Sequence, residues 1–312
     1  MTRDTETGAG TGAGRDTGGR EAGAELFEGQ RRRLFAIAYR ITGGVADAED
    51  LVQEAWIRWD AADREAVENP PAWLARVVTN LALNRLDSAA ARRVTYVGPW
   101  LPEPLVTAAG AAEPADGAAA VELADSVSTA VMVVLESLSP VERAVFVLHE
   151  VFGYPYREVA SILDRSEPSV RQTGHRAKAA VRARRPRFEA PAGVRRAVTD
   201  EFLTAATGGD LHRMLGLLAP DVTLWTDGGG LIRAAVRPVS GPENVVRFLL
   251  GVLARPEVAG LAAEAVDVDG QPGVLLRLPD GSVDSVAVME CGADGRIAEV
   301  PVVRNPEKLR HL

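Results

Sequence analysis

The spacing of apolar residues changes once along this chain, near residue 220, and that change limits what it can fold into. Before it, apolar residues recur at i, i+3, i+4 and i+7, the stripe of a helix that buries one face. Leu34, Ile37, Ala38 and Ile41 keep this spacing, and so do Leu74, Val77, Val78 and Leu81. After it come short alternating segments, Val222–Thr226, Gly273–Leu278, Ser282–Cys291 and Arg296–Val303, bounded by Asp, Gly or Pro. Alternation of that kind reads as strands with one buried face. A chain of 312 residues is also longer than one core usually supports. The expected fold is multidomain: two all-α helical domains joined by a linker, then an α+β domain with a curved antiparallel sheet.

Composition places the boundaries. Residues 1–24 are Gly, Thr, Ala and charge, with no apolar core to the segment, and read as a disordered tail rather than a signal peptide. Residues 25–94 read as helices: one stops at Gly43-Gly44, a second runs from near Asp47 to about Trp59, and a third follows the Asn69-Pro70-Pro71 break. Residues 95–128 are rich in Ala, Gly, Pro and Glu and read as a linker. Inside it, Tyr96-Val97-Gly98-Pro99-Trp100-Leu101-Pro102-Glu103-Pro104 is extended and semi-rigid. A tryptophan is unusual in a solvated linker, so this segment is expected to dock. Residues 129–187 are helical again, and 192–312 form the α+β unit, opening with helices that carry Val194, Val198, Phe202 and then Leu211, Met214, Leu215, Leu218.

The net charge of −8 argues against a simple DNA binder, but the charge is segregated. Residues 44–70 hold eight acids against two bases, and residues 165–187 hold eight bases against one acid. One surface suits a basic protein, the other suits phosphates. No apolar run of about 18 residues suggests a membrane span. The single cysteine, Cys291, has no disulfide partner and no neighbours spaced for a metal, so no cofactor is expected and a reducing cytoplasm fits.

The basic segment has a specific shape. A short helix over about 156–163, a turn at Asp164–Glu167 and a helix to about 185 make a helix-turn-helix pattern. On the last helix Val170, Thr173, Gly174, Ala177 and Val181 share one face. Arg171, His175, Lys178 and Arg182 form a neighbouring stripe, flanked by Gln172 and Arg176. Such a helix suits the major groove, where Arg and Lys bond guanine edges and Gln reads adenine. A merely solvated basic face is the plainer alternative.

These residues together resemble the extracytoplasmic-function sigma factors of bacteria. Arg40-Ile41-Thr42-Gly43 and Asp47 through Trp56 resemble their region 2.1–2.2; Trp73 through Leu86 resembles region 2.3–2.4; Leu138 through Phe146 with the helix-turn-helix resembles region 4. Trp100–Pro104, the turn Asp227-Gly228-Gly229-Gly230 and Asn305-Pro306-Glu307-Lys308-Leu309 resemble a subgroup with a fused polyketide-cyclase-like (SnoaL-like) cone. Leu231 stands where a basic residue is expected, and Glu307 where Asp is usual. The resemblance implies a subunit that binds core RNA polymerase and promoter DNA and is modulated in cis by its last domain. It places Asp47, Asp50, Gln53 and Glu54 against polymerase. It places Asn80, Asn84, Arg85, Arg92 and Arg93 on the −10 element, with Trp73 either stacking on a base or filling the core. Arg171, Gln172, His175, Arg176 and Lys178 face the −35 element. Trp100, Leu101, Pro102, Glu103, Pro104, Asp227, Gly228, Gly229, Gly230, Asn305, Pro306 and Lys308 become regulatory contacts.

A cone-shaped domain can hold a small-molecule ligand or do acid–base chemistry. His212, Asp227, Asp284 and Glu290 are the residues to weigh, and they form no catalytic signature. The reading is therefore a non-enzyme. The alternatives are a stand-alone ligand-responsive helix-turn-helix regulator and a cyclase-type enzyme carrying a DNA-binding module.

Overall fold

The computed structural model describes residues 13–93, 96–108, 129–184 and 190–312. Three helices come first: α1 (Ala13–Thr42), α2 (Val45–Asp60) and α3 (Pro70–Arg93). Gly43 ends α1 in a left-handed conformation, φ 77°, which only glycine adopts cheaply. Pro70 and Pro71 open α3, where a missing N–H leaves no bond unmade, and the Asn69 side chain caps Ala72 N at 3.2 Å. The expected disordered tail is corrected from residue 13 onward, because α1 already includes it; residues 1–12 lie outside the described residues. Trp59 Nε1 and Arg64 Nη1 donate to the carbonyls of Gly23 and Gly19, both at 2.9 Å, and hold a helical turn that has no apolar stripe of its own.

The second helical unit contains α4 (Thr129–Leu135), α5 (Pro140–Phe146), a π turn (Val147–Val151), α6 (Tyr156–Leu163) and α7 (Glu167–Arg184). Ser139 and Glu142 form a reciprocal capping box at α5. Asp164, at φ 52°, turns the chain between α6 and α7. At Gly174 an added Cβ would fall 2.8 Å from the Tyr156 hydroxyl, so the bare backbone lets α7 lie close on its support. One apolar cluster runs through both helical units, from Ile37 and Leu74 to Leu148, Val159 and Val170. Helix α6 packs on α3, and the π turn packs on α1. Along that seam Arg33 lies over the Tyr154 ring at 4.8 Å and Arg40 over Phe152 at 5.8 Å.

The remaining residues form the α+β unit. Its elements are α8 (Ala192–Gly208), α9 (Leu211–Leu217), β2 (Leu218–Asp227), β3 (Val239–Ser240), α10 (Pro242–Leu253), β4 (Ala262–Val268), β5 (Gln271–Arg277), β6 (Val283–Val288), β7 (Glu290–Cys291) and β8 (Ile297–Val303). The linker contributes β1 (Val106–Ala108), so the strand order is β1-β4-β5-β6-β8-β2-β3, with β7 paired to β8. That corrects the plain-linker expectation for 106–108: the segment pairs its backbone with β4, Val106 opposite Val268. The antiparallel expectation is corrected at one pair, because β2 and β8 run parallel with Thr226 opposite Val302. The long connection between them permits this arrangement. One face of the sheet packs against the helices through Phe202, Met214 and Val246. The other is covered by Leu101 and Leu309.

Candidate nucleic-acid interface and its interdomain latch

Helix α7 presents its basic residues as the wheel requires. Val170 and Ala177 are fully buried, while Arg171, Gln172, His175 and Arg176 are exposed and Lys178 is half-buried. Three of the bases meet carboxylates of their own unit: Arg171 with Glu167 at 2.6 Å, Arg176 with Glu142 at 3.7 Å and Lys178 with Glu150 at 2.6 Å. Such exposed pairs contribute about 1 kcal/mol or less, so phosphate can displace them. Arg171 also lies over the Tyr156 ring at 5.1 Å, which orients its guanidinium.

Helix α2 shows the opposite sign. Asp50, Gln53 and Glu54 are exposed on α2, and Asp47 is half-buried. Arg85 of α3 reaches back to Asp47 at 3.4 Å and Asp50 at 3.5 Å. The acidic stripe and an expected DNA-facing base therefore engage each other. Asn84 is exposed and Asn80 half-buried on the same helix, whereas the side chains of Arg92 and Arg93 lie outside the described residues. Trp73 packs its ring 5.5 Å from that of Trp59 and is half-buried, so its first contact is with the core.

The linker segment docks, and the three motifs of the resemblance meet there. Asp227, at the end of β2, is fully buried. Its Oδ2 accepts from Leu101 N at 2.8 Å and from Lys308 Nζ at 2.7 Å, and its Oδ1 accepts from the Tyr96 hydroxyl and from Gly229 N at 3.0 Å. Lys308 Nζ also donates to the Leu101 carbonyl and sits 3.8 Å from the centre of the Trp100 ring. Burial pushes the Lys308 ammonium down from its ordinary range, and the Asp227 charge opposes that shift. Asn305 donates to the Tyr96 hydroxyl at 3.0 Å and caps the 3-10 turn Pro306–Lys308 through Glu307 N at 2.9 Å. At Gly229, φ 62°, a Cβ would fall 2.3 Å from Asn305 Nδ2. Gly228 and Gly230 are similarly crowded, by Ile232 O at 2.7 Å and by Val97 at 3.1 Å. Leu231, the departure from the motif, is exposed.

The same segment grips the first helical unit. The Glu103 carboxylate accepts from Val45 N at 2.7 Å and Ala46 N at 3.2 Å, and so caps α2. Helix α2 starts at Val45, slightly before Asp47, because the linker supplies the acceptor for its first N–H groups. Pro102 and Pro104 are buried, and the Pro104 carbonyl lies 2.9 Å from His311 Nε2. A Cβ on Gly43 would fall 2.8 Å from Trp100, so the end of α1 is also the floor beneath the tryptophan.

A second joint went unforeseen. Asp269, at the β4–β5 turn with φ 50°, is buried between all three units. Tyr39 Oη lies 2.9 Å from its Oδ1 and 2.7 Å from the Glu103 carbonyl, and Thr129 donates to its Oδ2 at 3.1 Å. Burial raises Asp269 to about 6 and lifts the Tyr39 phenol well above its ordinary value. Nearby, Arg143 of α5 is buried, donates to the Arg40 carbonyl at 2.8 Å and pairs with Glu136. The only sequence cue for Asp269 is Asp269-Gly270 between two alternating segments, an ordinary turn signal.

The comparisons with known proteins cover nearly the whole chain. Residues 26–92 match Sigma-70 region 2, and residues 128–181 match Sigma-70, region 4. The extracytoplasmic-function RNA polymerase sigma factor SigJ of Mycobacterium tuberculosis is 42% identical over 291 residues, 90% of this chain and 91% of that protein. This chain is an extracytoplasmic-function sigma factor. The probable sigma factor SigI of the same species is 31% identical over 289 residues, covering 92% and 94% of the two chains. The crystal structure of SigJ superposes with a TM-score of 0.73 at 38% identity, covering 92% of this chain and 98% of that one.

Membership gives residues 25–93 the role that a stand-alone regulator leaves without purpose: the sigma factor directs transcription initiation at promoters. The weighed acid–base residues do not converge. Asp227 belongs to the latch, His212 is exposed on α9, and Glu290 is buried on β7, beyond the strand break at Met289 that separates it from Asp284. Among the described residues no helix is long and apolar enough to cross a membrane, and no His, Cys, Asp and Glu cluster is arranged for a metal.

Proposed function

We propose that this sigma factor is held in a closed form by its own C-terminal domain, and that opening presents two promoter-reading surfaces to DNA and one acidic surface to core polymerase. The joint of Asp227, Leu101 and Lys308 carries this reading: a buried ion pair of the last domain grips the backbone of the linker that separates the two DNA-reading units. A linker fixed in this way cannot extend between two promoter elements. In the open form Asp47, Asp50, Gln53 and Glu54 meet basic groups of polymerase, and a competing base on Asp47 and Asp50 frees Arg85. Asn80, Asn84 and Arg85, with Arg92 and Arg93, then face the −10 element, and Arg171, Gln172, His175, Arg176 and Lys178 face the −35 element.

Run-off transcription with purified core polymerase and a library of promoter fragments tests the reading. Transcripts that share an upstream motif and need the protein are expected. A protein that neither yields transcripts nor joins polymerase in a pull-down refutes it. Arg171→Ala should cost about 1–3 kcal/mol of discrimination at one promoter position. An equal loss on every sequence would make Arg171 a phosphate contact.

A further inference from the structure

The C-terminal domain encloses a cavity of about 500 Å3 between its sheet and helices α8 and α10. That is within the size range of small-molecule sites. Its wall is apolar, formed by residues such as Phe202, Phe248, Leu276, Met289, Val300 and Val302. The charged groups on it are unbalanced: Arg233, Arg255 and Arg304 against Asp284. Arg304 pairs with Asp284 at 2.6 Å. Among the described residues no carboxylate lies within ion-pair distance of Arg233 or Arg255, which leaves two positive charges beside an apolar chamber.

We infer that this cavity is a binding site for a small apolar acid, its carboxylate held by Arg233 and Arg255 and its apolar body against the sheet. The position of the cavity gives such a ligand a route to the latch. Thr226 and Arg304 line the chamber, while Asp227, the next residue of β2, and Asn305, just past the end of β8, hold the linker. Successive strand residues point to opposite faces, so a shift of the end of β2 moves both sites together. Arg304 N also donates to the Asp227 carbonyl at 2.7 Å, which ties the two strand ends directly. The regulatory half of this inference rests on the closed-form reading; the binding half does not.

The test is calorimetric titration of the full chain with decanoate and, separately, with decanol, both below micelle formation, and without polymerase. Saturable binding of the acid at about tenfold the affinity of the alcohol is expected. The double change Arg233→Glu with Arg255→Glu should erase that preference while decanol still binds. Equal affinities for acid and alcohol, no saturation by either, or a preference that survives the charge reversal would each overturn the site. Because the titration omits polymerase and promoter, its outcome is independent of whether the transcription test succeeds. Hydrogen exchange over residues 96–104 with saturating decanoate then reads the coupling. A changed rate supports it, and an unchanged rate removes the link to the latch.

Discussion

The first helical unit is held to its two neighbours by different chemistry. It meets the second helical unit mainly through a shared apolar core, edged by Arg33 and Arg40 over Tyr154 and Phe152 and crossed by the Arg143 hydrogen bond to the Arg40 carbonyl. It meets the C-terminal domain through polar contacts: Glu103 on the α2 N-terminus, Tyr39 on Asp269, and a linker strapped by Asp227 and Lys308. Apolar burial is non-directional and barely responds to pH or to a displaced partner. A buried polar joint depends on every member, because each unmatched group leaves a desolvated donor or acceptor. The helical seam is therefore built to persist, and the polar joint is where release can begin.

The largest expected effect breaks the polar side. Asp227→Ala strands the buried Lys308 ammonium and leaves Leu101 N unpaired, and should cost about 3–5 kcal/mol. Hydrogen exchange would show residues 96–104 released while the helical units stay protected. Protection of that segment comparable to the parent would mean the strap is held by Trp100 and Leu101 packing. Phe152→Ala attacks the apolar side and should cost about 3 kcal/mol. Its unfolding curve should show no added dependence on pH between about 5 and about 7. Helices α6 and α7 should lose protection first.

Tyr39→Phe removes the hydroxyl that serves both Asp269 and the Glu103 carbonyl, and should weaken docking by about 1–3 kcal/mol, read as faster proteolysis of the linker. The pH effect is smaller. Asp269 sits at about 6 when docked, above the roughly 3.9 of a solvated aspartate. A raised carboxylate stabilises the docked form when protonated. Docking therefore weakens as pH climbs from about 4 to about 6, and levels off above that. Protonated, Asp269 can donate to Tyr39 Oη and leave the phenol proton for Glu103 O, so both acceptors are served. Linker protection should be about tenfold greater near pH 5 than near pH 7. Asp269→Asn should flatten that slope, and a slope that persists would place the titrating group elsewhere.

Much of the candidate site was legible because it follows local rules. The α7 face, its glycine at position 174 and the turn at Asp164 all follow from helical spacing and turn chemistry. Trp100 announced docking by being an aromatic among prolines. Helix α10 was missed although Pro242 and Glu243 open it and Val245, Val246, Leu249 and Leu250 keep its stripe. Strands β1 and β4 were missed because β1 lies in a segment read as linker and β4 is exposed along most of its length.

The sequence by itself determined the helical units, the two-sign charge pattern, the DNA-reading helix and the strand-rich final third. All of these depend on periodicity and composition within a few turns of chain. Only the tertiary structure decided that Arg85 faces Asp47 and Asp50, that Glu103 caps α2, and that Asp269 joins three units. Those partners lie from 35 to 230 residues apart, and a single side chain carries no periodic signal of the residue it will meet. The structure also brought Asp227, Asn305 and Lys308 to one point, because the parallel pairing of β2 with β8 puts their ends side by side.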